Sequence, residues 1–354
     1  MNIQGKPHRT IGWSTDRSAV EFIDQAALPR TFSVIRATSL DQIALAISSM
    51  QVRGAPLIGV AAVYGLALAA RADASDRALA SAAAQLIETR PTAINLRWAV
   101  EWAQAKLAVV AVASRARRAE ELASELADLE CAIGKQIAEH GVKLIAEHHR
   151  RAPGRPVQVM THCNAGWLAT VDWGTALAPV YLAQQLKIPI HVWVSETRPR
   201  NQGLLTAFEL REQAVPHTVL VDNAAGLLMQ RGEIDLVIVG TDRTSAQGDV
   251  CNKIGTYLKA LAAKANGVPF YAAVPSSSID WKLADGVKGT PIEQRDEAEV
   301  RVVGGVELLP KSSPVTNYGF DVTPASLVTG LITERGVCAA SRAGLAELFP
   351  EHRA

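Results

Sequence analysis

Several features that would settle a function early are missing from this chain. It has only four cysteines, Cys131, Cys163, Cys251 and Cys338, with no CxxC pair and no zinc-like spacing. That argues against a disulfide scaffold or a zinc module and predicts reduced thiols. No Walker loop and no GxGxxG fingerprint occurs, so nucleoside triphosphates and NAD are not indicated. An excess of one charge is lacking too: 36 basic residues face 35 acidic ones, for a net charge of +1. This argues against a nucleic-acid or membrane surface as partner, although a local Arg cluster could still bind a small anion. The opening residues, MNIQGKPHRTIGW, hold no apolar stretch or small-residue cleavage site, which predicts no secretory signal and a cytoplasmic location. The longest uncharged apolar run, Ala55 to Ala70, lies between Arg53 and Arg71 and has Pro56 near its start. It falls short of the ~20 residues of a membrane helix, so a buried core helix is expected.

Hydrophobic residues make up 48% of the 354 positions and charged residues 20%, enough for a large core and ordinary two-domain size. The first 150 residues read as mainly helical after a β-like start near Thr31 to Arg36. The clearest helix runs from Arg118 to Ile137, where Leu122, Leu126, Leu129, Ile133 and Ile137 recur at helical spacing on one face. The basic stretch Arg115, Arg117 and Arg118 reads as a solvated helix face. At RRAPGRP, around Arg150, the texture changes and a domain boundary is expected, giving residues 1–150 and 151–354.

Beyond it come five short apolar runs: VQVMTHC (157–163), PIHVWVSE (189–196), HTVLVDN (217–223), IDLVIVGTD (234–242) and PFYAAVP (269–275). They are continuous rather than alternating, as strands buried on both faces are. Helix-like segments lie between them, at Gly174–Leu186, Gly203–Glu212 and Asp249–Asn266. Alternation of this kind predicts an α/β fold: a helical N-terminal domain followed by a Rossmann-like, doubly wound parallel sheet.

Ligands of such sheets bind beyond the carboxyl ends of the strands. Four of the five runs end there in a reactive or ionisable side chain: Cys163, Glu196, Asp222 and Asp242. A buried cysteine is usually a small hydrophobe, and Cys131, Cys251 and Cys338 are read so. Cys163 stands at a strand end before Asn164-Ala165-Gly166 and an expected helix, whose positive end would favour a thiolate. Its neighbour His162 is read as structural, since adjacent strand residues point to opposite faces. Asp242 could cap a helix or pair with Arg243. Alternatively, it could sit desolvated, with a raised pKa, as a general acid. Asn252 and Lys253 follow as donors to a phosphate or hydroxyl. In the N-terminal half, Arg53-Gly54-Ala55 precedes the apolar helix and could seat an anion on free backbone N–H groups. Arg90, before Pro91, is either a phosphate clamp or an ordinary helix-start arginine.

Eight segments carry a more specific signal: VRGAPLIGVAA (52–62), RPTAINLRWA (90–99), THCNAGWLAT (161–170), ETRPRNQG (196–203), GTDRTSAQGDVCNKIGTY (240–257), PFYAAVPSSSID (269–280), TPIEQRD (290–296) and FDVTPASLVTGLITERGV (320–337). Together they resemble the family that holds the methylthioribose-1-phosphate isomerases of methionine salvage. It also holds the alpha, beta and delta regulatory subunits of eukaryotic translation initiation factor two B. The resemblance implies catalytic roles for Cys163 and Asp242. It implies substrate binding by Arg53, Gly54, Ala55, Arg90, Gln202, Asn252 and Lys253, no metal or cofactor, and a homodimer acting on a sugar phosphate. Ser195, Thr241, Trp167, Trp173 and the Asn317–Phe320 segment depart from the family pattern and leave the sugar's C5 substituent open. The alternatives are 5-deoxyribose 1-phosphate, ribose 1,5-bisphosphate, or a scaffold without catalysis.

Overall fold

The computed structural model describes residues 1–353. After a short antiparallel pairing of Asn2–Ile3 with Lys6–Pro7 comes a three-stranded antiparallel sheet, formed by β1 (Ile11–Trp13), β2 (Val20–Ile23) and β3 (Val34–Ala37). The expected β-like start is the last of these strands. Five helices follow: α1 (Leu40–Ser48), α2 (Ala55–Ala72), α3 (Asp76–Glu88), α4 (Ile94–Ala108) and α5 (Val112–Arg151). The side chains of Ser39 and Ser75 cap α1 and α3 by accepting from the backbone N–H groups of Gln42 and Ala78. Helix α2 is apolar on every side and is surrounded by α1, α3, α4 and α5. Among the described residues it is the one helix long and apolar enough to cross a membrane, and 78% of it is buried inside the protein. All-round burial of this kind marks a core helix.

Helix α5 is 40 residues long, twice the stretch that its leucine spacing suggests. Its first half, through Leu122 and Leu126, packs into the helical core. Its second half, through Ile133, Ile137 and Ile145, packs on the sheet described next. The expected stripe needs one correction: Leu129 is 43% exposed, while Glu130 is buried in its place. At about 100° per residue, positions 129 and 130 lie equally far from the line through 126 and 133, and the buried Ala123, Ala127 and Gly134 put the packed face on the side of 130. Arg117 and Arg118 pair with glutamates on the surface, whereas Arg115 is buried against Asp76.

The C-terminal half contains β4 (Val157–Thr161), α6 (Ala178–Gln185), β5 (Ile190–Ser195), α7 (Gly203–Glu212), β6 (His217–Leu220), α8 (Ala224–Gln230), β7 (Leu236–Val239), β8 (Arg243–Ser245), β9 (Val250–Lys253), α9 (Thr256–Ala265), β10 (Phe270–Ala273), β11 (Ile279–Asp280), β12 (Phe320–Thr323), β13 (Gly330–Thr333) and β14 (Gly336–Cys338). The main sheet has seven strands in the order β14-β13-β10-β7-β4-β5-β6. Six are parallel, and β14 is an antiparallel edge folded back on β13. All five expected strands are present. In chain order the six parallel strands run 3-2-1-4-5-6 across the sheet, the doubly wound Rossmann arrangement. A smaller sheet, β11-β8-β9-β12, stands beside their carboxyl ends.

Two expectations fail locally. Residues 250–253 form strand β9 rather than part of a helix, because Asn252 and Lys253 pair with Asp321 and Phe320 of β12. The segment after Cys163 makes only a single 3-10 turn, Trp167–Ala169, and α6 begins later at Ala178.

Candidate active site

Winding order fixes where a pocket must lie. Chain connections leave β4 and β7 in opposite directions, so a crevice opens beyond their carboxyl ends. Cys163 lies just past β4 and Asp242 just past β7. The helical half closes the crevice with Arg53, Gly54 and Ala55 at the start of α2 and with Arg90 ahead of α4. Gln202 arrives from the residue before α7, and Asn252 and Lys253 from β9. All nine positions that the resemblance implies line this one cleft, whereas Glu196 and Asp222, the other two strand-end candidates, do not.

Each is held for a physical reason. Arg53 is buried and its guanidinium donates to Asn164 Oδ1 at 2.6 Å and to the Asn164 carbonyl at 2.8 Å. Gly54 has φ 97, and a Cβ there would lie 2.4 Å from the Ala169 carbonyl oxygen, so only glycine allows this approach. No side chain caps the α2 N-terminus that it begins, where Gly54, Ala55 and Pro56 line the cleft, so the N–H groups of Ala55 and Leu57 have no side-chain acceptor. Arg90 lies 3.6 Å from Glu293, and burial lowers its pKa. Lys253 is buried with its ammonium 4.2 Å from the Phe320 ring centre, and burial lowers its pKa as well. The Gln202 amide oxygen is buried without a hydrogen-bond partner in the protein.

Asp242 neither caps a helix nor pairs with its neighbour. Its N–H donates to the Cys251 carbonyl at 2.9 Å as the chain enters the β8–β9 hairpin, and Arg243 turns away to Thr92 O and Asp280. Burial raises the Asp242 carboxyl above its ordinary range, against the charges of Lys253, Arg90 and Arg53. Burial likewise pushes the Cys163 thiol up, again opposed by Arg53 and Lys253. The expected thiolate-favouring helix end is absent, since only a short 3-10 turn follows Cys163. Burial thus favours the neutral form of both groups, and the neighbouring cations oppose it. His162 is structural as expected: its Nε2 lies 2.8 Å from the Ile254 carbonyl, and burial holds it down to about 3.

The initiation factor 2 subunit family matches residues 51–340. The chain belongs to this family. It is 56% identical over 361 aligned residues to a methylthioribose-1-phosphate isomerase of Rhodospirillum centenum, covering 99% of this chain and 96% of that one. Among solved structures, 5-methylthioribose 1-phosphate isomerase from Pyrococcus horikoshii OT3 superposes with a TM-score of 0.86 at 37% identity, over 98% of this chain and 97% of that one. Translation initiation factor eIF-2B, subunit delta, from A. fulgidus superposes with a TM-score of 0.83 at 38% identity, over 97% of this chain and 100% of that one. An isomerase and an initiation-factor subunit of the family thus fit the fold about equally well, and the contents of the cleft must distinguish them.

Sequence reasoning missed several family-site neighbours. Cys251, read as inert, lines the cleft on β9, and burial pushes its thiol up to about 12. Thr241, one of the departures, also faces the cleft, with its hydroxyl 3.0 Å from Thr244 Oγ1. Asn164 is buried beneath Arg53 and orients it. A further signal was available at α7: Gln202 just before it and Thr206 and Glu209 on it recur at helical spacing, polar and buried on the face turned toward Cys163. A polar stripe on the inward side of a helix has to be serving something inside. Among the described residues, no group of three or more His, Cys, Asp or Glu is placed to hold a metal ion.

Proposed function

We propose that this chain is an aldose–ketose isomerase that converts 5-methylthioribose 1-phosphate into 5-methylthioribulose 1-phosphate. The observation that carries the reading is the composition of the cleft. A thiol and a carboxyl, both held toward neutral, stand beside three cations and an uncapped helix start. A phosphate monoester matches the cationic end, with Arg53, Arg90, Lys253 and the α2 N–H groups as its donors and Asn252 and Gln202 for sugar hydroxyls. Met50, Pro56, Ile58 and Ala93 add an apolar lining. That lining favours a methylthio group at C5 over a second phosphate, because the remaining arginine, Arg243, is engaged by Thr92 and Asp280.

A sugar phosphorylated at C1 has no free aldehyde, so isomerisation must begin by opening the ring. Asp242, protonated, gives its proton to the ring oxygen as the bond from C1 to that oxygen breaks. Cys163, as thiolate, removes the proton from C2, forming an enol phosphate. The Cys163 thiol, part-exchanged with solvent, returns a proton to C1 while the C2 hydroxyl gives its own to the Asp242 carboxylate, which regenerates both groups and leaves a C2 ketone. A direct hydride shift from C2 to C1 is the second reading, and the upward push on the Cys163 thiol is what favours it. Phosphate binding holds the reacting carbons in register throughout. The working form is taken to be a cytoplasmic homodimer that uses only groups of this chain.

Phosphorus NMR of the wild-type protein with 5-methylthioribose 1-phosphate, 5-deoxyribose 1-phosphate and ribose 1,5-bisphosphate tests this. Conversion of the first, with the bisphosphate poor or inert, is the expected result. Inertness toward all three would favour a binding scaffold. Run in heavy water, any solvent label at C1 of the product supports the thiolate route, and full retention of the C2 hydrogen supports the hydride shift.

A further inference from the structure

Cys163 and Thr197 are both non-glycine residues in left-handed backbone, with φ of 69 and 64. For a β-branched threonine this region is strongly disfavoured. Such strained residues persist only where their surroundings hold them. Thr197 is held by Asp222, which accepts its N–H at 2.8 Å and the N–H of Arg198 at 2.8 Å, and Cys163 is held by two threonine hydroxyls. Thr197 Oγ1 accepts the Cys163 N–H at 2.8 Å and donates to the Ser195 carbonyl at 2.9 Å. From the other side, Thr206 Oγ1 donates to the Cys163 carbonyl at 2.8 Å. Asn164 Nδ2 donates to that same Thr206 oxygen at 3.2 Å, and Asn164 Oδ1 holds Arg53. Both threonines are fully buried, and neither lines the cleft. Helix α7 grips the far end of the same loop as well, where Glu209 accepts the Leu168 N–H at 2.6 Å.

We propose that Thr197 and Thr206 are positioning residues for the isomerisation: they clamp the N–H and C=O of Cys163 in the left-handed conformation and so aim its thiol into the cleft. Thr206 also ties that aim, through Asn164, to the guanidinium of Arg53. The inference rests on the role proposed above for Cys163. A buried Cys163 N–H left without its acceptor would seek another partner and turn the residue. A misplacement of about 1 Å at a reacting group is enough to cost ~10²-fold in rate.

Thr197→Val and Thr206→Val keep the shape and remove the hydroxyl, while Thr197→Ser and Thr206→Ser keep it. For all four, kcat and KM with 5-methylthioribose 1-phosphate are measured, together with the rate of Cys163 alkylation by iodoacetamide in the empty enzyme. Each valine change is expected to lower kcat about 10- to 100-fold, with KM held within roughly 3-fold. Alkylation should change in the valine chains and return with serine, as should kcat. Alanine at the same position replaces valine if a valine chain does not fold, with the same expected split. Wild-type kcat in a folded valine or alanine chain overturns the clamp, as does a serine chain that fails as badly as valine. Cys163→Ala serves as the control. Normal turnover there overturns the role of Cys163 itself, whereas a dead Cys163→Ala beside fully active valine chains sinks only the clamp.

Discussion

At the scale of single residues, Cys163 is governed by two opposed effects, burial that favours the thiol and the charges of Arg53 and Lys253 that favour the thiolate. Burial is the larger, so the thiol ionises above its ordinary value of 9.0. Only the thiolate is alkylated. Iodoacetamide modification of Cys163, followed by peptide mass spectrometry, should therefore keep rising through pH 9. Lys253→Met, by removing a charge that favours the thiolate, should slow it further at pH 8. A rate that levels off below pH 8 would contradict this balance. A reactive residue at the end of an apolar strand could be found from sequence, which is why Cys163 and Asp242 were visible there. Cys251 was not, because it enters the cleft from β9, a strand whose residues had been expected to form a helix. The direction of the Cys163 shift was also hidden, since it depends on a missing helix end and on burial by both halves of the chain.

At the scale of elements, α5 shows how far periodicity carries and where it stops. Its leucine spacing located the helix and most of its buried face. The spacing could not show that the helix continues past Ile137 into the second core, where the partners are strands far along the chain. Nor could it show that Glu130, not Leu129, faces inward. Burial, with a smaller push from Glu334, raises Glu130 from 4.5 to about 8. Between those values the folded chain keeps a proton that the unfolded chain has lost, so this residue makes stability fall as pH rises through that window. Glu130→Gln has no such titration. Urea unfolding of both proteins should give similar stabilities near pH 4.5, and at pH 9 the variant should be ahead by on the order of 3 kcal/mol. An advantage that does not change with pH would show that Glu130 is not the titrating group. The fold of α7 was legible to the residue, as Gly203–Glu212, but the use of its polar stripe was not, because hydrogen bonds to the 163–168 loop exist only after folding.

At the scale of the whole molecule, the cleft divides labour between the halves. The helical half brings charge on Arg53 and Arg90 and the free N–H groups of α2, all suited to a phosphate that stays attached. The parallel sheet brings Cys163 and Asp242 to its switch point, where the reacting carbons would lie. The alternation of β and α segments was enough to place that rim, but how the helical half closes over it depends on packing between distant segments. The fold alone does not decide activity, since an initiation-factor subunit shares it as closely as an isomerase does. The most direct test is steady-state kinetics with 5-methylthioribose 1-phosphate on Cys163→Ala, Asp242→Asn and Arg90→Ala. The account predicts that the two sheet-rim variants lose ~10²–10⁴ in kcat with KM within a few fold, and that Arg90→Ala mainly raises KM. Near-normal turnover by either Cys163→Ala or Asp242→Asn would contradict it.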